Sequence, residues 1–176
     1  MNKDQIIEIA AKHGAEAALE WHAKQQQKQK KFRHDKRLRN TRLLLKHYPL
    51  LKEHCEKSVY VDIETANAID ILDDVDNYDG KTYIEAIKRS VARTNIIIRH
   101  IDTMLSIYEI YCQKSRQVED MRRFRILKAK YFEGIDMSVI MQNEGIEERT
   151  YYRDMRDAVN KLGSLIFGID SLMDVT

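Results

Sequence analysis

Residues 131–168 read YFEGIDMSVIMQNEGIEERTYYRDMRDAVNKLGSLIFG, and the fold turns on how this stretch divides. Gly145 follows a short helical pattern over about Met137–Asn143, at a point where a reversing chain needs a positive φ. A longer helix is predicted from about Glu147, with Ile146 plugging the angle between the two. Along it Tyr151, Met155, Ala158 and Leu162 recur at helical spacing and are expected to face a core. Arg149, Tyr152, Arg153 and Arg156 then fall on the opposite, exposed side. The stretch therefore predicts a helix-turn-helix at the C-terminal end of the chain.

Upstream, Glu119–Phe132 is predicted to be helical, with Met121, Phe124, Leu127 and Tyr131 inward, after a short break at Lys114–Gln117. The best periodic signal precedes it. Ile84, Ile87, Val91, Thr94, Ile98, Ile101, Leu105, Tyr108 and Cys112 alternate at spacings of three and four, and Ile97, Met104 and Tyr111 widen the stripe. That spacing predicts one long helix in a coiled coil or an antiparallel bundle; the width of the stripe favours the bundle. Residues 73–80, DDVDNYDG, read as a loop. Pro49 disfavours helix at Tyr48, so a first helix is expected to end there and a second to run from Pro49 to about Leu72. One proline and six glycines in 176 residues leave few other breaks. The expectation is an all-α protein of long helices forming a hairpin or bundle, then the helix-turn-helix. Its parts are a basic N-terminal helix (1–48), a helical hairpin (49–116) and a DNA-binding domain (117–176).

The net charge of +2 conceals a strong asymmetry. Lys24 to Lys46 holds ten Lys/Arg against Asp35 alone, whereas Asp62 to Asp79 holds seven Asp/Glu and no basic residue. Arg122, Arg123, Arg125, Lys128 and Lys130 form a second basic stretch just before the C-terminal motif. A chain so divided can offer basic faces to a polyanion. The Lys24–Lys46 stretch has two readings: a helix lying along a nucleic-acid backbone with Phe32 and lysine stems as apolar contacts, or a solvated helix. No apolar run approaches the roughly 18 residues that span a bilayer, so no membrane partner is expected. The first 21 residues are punctuated by charge and lack the apolar stretch of a secretory signal. Cys55 and Cys112 are too few for a disulfide framework. A reduced, cytoplasmic setting is the expectation.

Several chemistries lack their signatures. Asp74, Asp76, Asp79 and Glu85 only approximate a calcium loop, because the glycine comes one residue late and Tyr78 takes a ligand position. His54 and Cys55 adjoin without a second pair at metal-ligand spacing. GxxxxGK[ST], GxSxG and HExxH are absent. No enzyme, cofactor or metal is expected.

The string GIEERTYYRDMRDAVNKLGSLIFGID (145–170) resembles the C-terminal end of phage and prophage transcriptional regulators of the ArpU/RinA type. Their helix-turn-helix is similar to region 4 of sigma-70 factors. The matching pattern is Gly145-Ile146 opening the turn, then Arg149-Thr150-Tyr151-Tyr152-Arg153. RLRNTRLLLK (37–46) and EDMRRFR (119–125) look familiar from the same group. The resemblance implies double-stranded DNA near promoters as partner, contact with RNA polymerase, and a bacterial host cell. No region 2 is recognisable, which favours an activator or accessory regulator over a complete sigma factor. Arg149, Thr150, Tyr152, Arg153, Arg156, Arg122 and Arg123 are the predicted DNA-contact residues: arginine for guanine edges or phosphates, Thr150 for phosphate near the helix start, Tyr152 for phosphate or a thymine methyl. The long helices are expected to form a homodimer or dock a partner. Two rival readings are a helical adaptor and a DNA-packaging subunit similar to small terminases.

Overall fold

The computed structural model describes residues 3–56, 68–75, 80–88 and 91–168. Among the described residues are seven helices: α1 (Lys3–Glu56), α2 (Ala68–Val75), α3 (Gly80–Lys88), α4 (Val91–Lys114), α5 (Val118–Tyr131), α6 (Met137–Glu144) and α7 (Glu148–Ile166). No strand occurs among the described residues. No helix among them is long and apolar enough to cross a membrane. The chain divides into two units, Met1–Asp35 and Lys36–Thr176. In the first, the described side chains from Lys12 to Arg33 are exposed, with Gln25 half-buried.

The second unit holds the core. Leu44, Leu45, Tyr48 and Leu51 of α1 join Ile71 and Leu72 of α2, and Tyr83, Ile84 and Ile87 of α3. Ile97, Ile98, Ile101 and Tyr108 of α4, Phe124 and Leu127 of α5, and Ala158, Leu162 and Ile166 of α7 complete the cluster. Tyr48 donates a 2.6 Å hydrogen bond to Asp102 and stacks its ring 4.5 Å from Phe132.

Three features depart from the sequence reading. α1 runs through Pro49 instead of ending before it, so the expected boundary at 48/49 falls inside a helix. An internal proline costs about 3 kcal/mol. Pro49 itself is exposed, while Leu44, Leu45, Tyr48 and Leu51 lie buried on the face that continues past it. Each such burial contributes roughly 1.5–3 kcal/mol, and four of them outweigh the break. The second departure is the stripe from Ile84 to Cys112, which belongs to α3 and α4 rather than to one helix. Thr94 donates to the Ile87 carbonyl at 3.1 Å, whereas seven residues of straight helix would hold them about 10 Å apart. Most of the stripe is buried as expected, but Tyr111 is exposed. Residues 73–75, expected in a loop, end α2. Most of the acidic segment 62–79 lies outside the described residues.

α1 and α7 approach closely. A Cβ on Gly163 would stand 2.6 Å from Oγ1 of the buried Thr41, whose hydroxyl donates to the Arg37 carbonyl. Gly163→Ala gains about 1 kcal/mol of helix propensity but meets a crowding penalty of about 1–3 kcal/mol. Gly163→Ala is expected to destabilise the wild-type background and to stabilise Thr41→Ala, a change of sign that chemical denaturation of the four chains will reveal.

Burial holds several acids of the core in their neutral form. It pushes the Cys112 thiol up to about 11, with Asp120 adding to the shift. It also raises the phenols of Tyr48, Tyr108, Tyr131 and Tyr151. Above pH 9.0, the ordinary thiol value, the folded chain therefore retains protons that the unfolded chain releases, and stability falls as pH rises. Thermal melting is expected to be flat just below pH 9.0 and to drop steadily above it; an unchanged midpoint up to pH 11 would contradict this packing.

Candidate nucleic-acid interface

α5, α6 and α7 build a small second core from Ile126, Ile140 and Tyr151, with Ala129, Ile135, Met137, Met141, Ile146 and Met155 packed around it. α6 ends where predicted. Gly145 has φ 61°, and Ile146 N donates to the Met141 carbonyl at 3.1 Å, closing the left-handed cap. Half-buried Ile146 fills the corner, as its position in the sequence predicts. The chain then enters α7 through an extended Glu147.

Helical geometry sorts the side chains of α7. At 100° per residue, Arg149, Tyr152, Arg153 and Arg156 share an arc of about 100°, and all four are exposed. Tyr151, Ala158 and Leu162 occupy the opposite side and are buried. Tyr152 is 57% exposed and leans edge-on against the buried Tyr151 ring at 5.6 Å. Thr150 is half-buried in the first turn, where the N–H groups of Glu148, Arg149 and Thr150 precede the first intrahelical donor, Tyr151. Arg149 makes no ion pair among the described residues. Arg153 and Arg156 reach only their sequence neighbours, Asp154 at 3.3 Å and Asp157 at 3.4 Å.

Arg122 and Arg123, also expected to contact DNA, do not join this face and are engaged within the protein. Asp154 has no solvent exposure; Arg122 Nε donates to it at 2.7 Å and Arg123 Nε lies 3.7 Å away. Arg123 also reaches Asp120 at 3.1 Å and Asp157 at 3.4 Å. These two arginines hold α5 against α7. The rest of the basic stretch is largely engaged as well. Arg125 grips Glu144 of α6 through two bonds of 2.7 and 2.6 Å, and Lys128 stands 3.9 Å from Glu133. Lys130 is exposed, with no ion pair among the described residues.

Asp154 is the residue of this region that pattern reasoning passes over. It sits at the edge of the apolar arc, beside Tyr151 and Ala158 in the helical projection, a place where an acid demands a buried cation. Its burial also bears on the charge balance of α7. From Glu147 to Lys161 four acids balance four bases. Asp154 is turned inward, however, and Lys161 lies 4.0 Å over the Tyr111 ring. Setting both aside leaves three acids and three bases, so the balance of α7 is unchanged, and its basic arc comes from the helical phase of Arg149, Arg153 and Arg156.

No family model matches the chain, and no curated protein or solved structure matches it significantly. Among the described residues no group of three or more His, Cys, Asp or Glu is placed to hold a metal ion.

Replacing Asp154 with Asn removes the charge that both arginines face while preserving shape. A hydrogen bond to a charged group contributes about 1.5–3 kcal/mol, so Asp154→Asn is expected to lower stability by about 2 kcal/mol. Urea unfolding measures this, and a loss below about 0.5 kcal/mol, the level of an ordinary surface change, would deny the pair its role.

Proposed function

We propose that the protein is a phage-type, sequence-specific DNA-binding regulator of transcription acting at promoters, with α7 as its recognition helix. The observation that carries this reading is the shared exposed face of Arg149, Tyr152, Arg153 and Arg156, presented just after the tight Gly145 turn. A helix enters the major groove by its N-terminal turns, and arginine pairs there with guanine O6 and N7. Arg149 and Arg153 are the base-reading residues, Tyr152 meets a phosphate or a thymine methyl, and Thr150 with the first-turn N–H groups meets a phosphate. Arg156 lies a turn further along and contacts the backbone. The resemblance of residues 145–170 to sigma-70 region 4-like modules supports promoter-proximal DNA and RNA polymerase as partners in a bacterial host cell.

One observation favours a second reading, a helical adaptor or a self-associating chain. Ile107, Ile110, Tyr111 and Val118 are 42–79% exposed around the junction of α4 and α5. A protein partner or a second copy would cover them.

Selection from a random duplex pool at low salt tests the first reading. Enrichment of a defined site is expected, with Arg153→Ala weakening that site by about tenfold, since a bidentate contact is worth about 1–3 kcal/mol of discrimination, while binding to scrambled duplex changes little. Absence of enrichment, together with capture of a protein partner through the Ile107–Val118 surface, would replace the regulator by the adaptor. A ring of many copies in light scattering would point to the packaging subunit.

A further inference from the structure

The face of α7 leaves unexplained the most basic part of the chain. Between Trp21 and His34 stand Lys24, Lys28, Lys30, Lys31 and Arg33, with no Asp or Glu. The helix is continuous there. Apart from the half-buried Gln25 and His34, every side chain from Trp21 to His34 is exposed.

At 100° per residue, Trp21, Lys24, Lys28, Lys31 and Phe32 share an arc of about 100° over some 16 Å of helix. Trp21 is 58% exposed and Phe32 69%. Lys24 reaches Glu20 only at 4.0 Å, and Lys28 and Lys31 have no ion pair among the described residues. Lys24 with Lys28, and Lys28 with Lys31, are like-charge neighbours that weaken an isolated helix. A helix exposed on all sides gains nothing from packing, and such helices are marginal in water. A partner that neutralises the lysines relieves both deficits.

The chemistry selects that partner. A membrane surface needs a broad apolar face, but between Trp21 and Phe32 the sole apolar residue is Ala23. A regular array of phosphates suits lysines repeating every turn, with their stems and the two aromatic rings against the sugars.

We infer that residues 21–33 of α1 are a second nucleic-acid contact, in which Lys24, Lys28 and Lys31 lie along the phosphate backbone of duplex DNA. The inference rests on the reading of α7 as a recognition helix, and it assigns the two elements different work: α7 reads sequence, and the lysine face supplies attraction independent of sequence.

Trp21 is the sole tryptophan of the chain and reports on this face directly. Full-length protein is titrated with a duplex of about three helical turns carrying the selected site, and both anisotropy of labelled DNA and tryptophan emission are followed over about 50–200 mM salt. Wild type, Lys24→Gln/Lys28→Gln/Lys31→Gln and Arg149→Ala/Arg153→Ala are compared, with helix content checked by circular dichroism. Each neutralised phosphate contributes about 0.9 to the slope of log K against log salt, so the lysine variant is expected to lose about 2–3 from that slope while keeping its sequence preference. The arginine variant is expected to lose preference and retain the tryptophan response. A wild-type slope in the lysine variant, or saturated binding with unchanged tryptophan emission, overturns this inference. If the arginine variant has meanwhile lost its preference, the reading of α7 survives. Binding to anionic phospholipid vesicles that depends on the three lysines, with the duplex slope unchanged, would give the face to a membrane surface and also overturns it. A wild-type chain that binds no duplex at low salt removes both readings.

Discussion

The position of α7 depends on a carboxylate with nowhere else to go. Asp154 is fully buried midway along the helix, and a buried charge without a partner costs several kcal/mol. Arg153 of the same helix reaches it at 3.3 Å, and its partners across the packing, Arg122 and Arg123, both sit on one turn of α5. An apolar stripe such as Tyr151, Ala158 and Leu162 tolerates some rotation about the helix axis, because dispersion and burial are not directional. An ion pair held at 2.7 Å tolerates little. Turning α7 by one residue's worth of arc would carry Asp154 away from Arg122 and bring other side chains outward. The inner pair thereby selects which residues form the outer face.

A second constraint acts at the other end of the same helix. Gly163 admits the Thr41 hydroxyl to within a distance that no Cβ permits, and His100 Nε2 stands 2.9 Å from the Ile166 carbonyl. Helix α7 is therefore anchored on α5 near its middle and on α1 and α4 towards its C-terminus. Its N-terminal turns hold Arg149, Tyr152 and Arg153 on the exposed side, where Arg153 alone reaches Asp154, at 3.3 Å. A helix fixed along its rear two-thirds presents its first turns as a rigid element, the condition under which a few side chains can discriminate between bases.

What the sequence reveals, and what it hides, follows from the range of each interaction. The Gly145 turn is legible because a positive φ is a local demand that a residue type announces. The buried positions of α7 are legible because period and burial coincide over four turns. Pro49 misleads because its penalty is local whereas the opposing burial of Leu44, Leu45, Tyr48 and Leu51 is tertiary. The division between α3 and α4 is hidden because Ile84 and Ile87 continue in phase with Thr94 and Ile98, so the stripe carries no mark of it. The ion pairs of Arg122 and Arg123 are hidden for a different reason. A charge count registers cations but not their partners, and Asp154 lies 32 residues from the first of them. A sharper signal was present: an acid bordering an apolar arc is a request for a cation, and the adjacent arginines of α5 border another.

The same distinction governs what the α7 face can offer a nucleic acid. Once Arg122, Arg123, Arg125 and Lys128 are engaged, few unpaired cations stand near the outward face of α7, and Glu147 and Glu148 at its start favour the helix dipole while repelling phosphate. Such a surface gains little from counterion release, the term that supplies most sequence-independent affinity. On the reading proposed above, its binding must rest on base-edge contacts, and these reward one sequence over another instead of rewarding DNA in general. A reader with so weak a general attraction stays on its site too briefly unless attraction comes from elsewhere. On the inference drawn for α1, residues 21–33 would supply that charge while taking no part in reading sequence, and affinity and specificity could then vary independently.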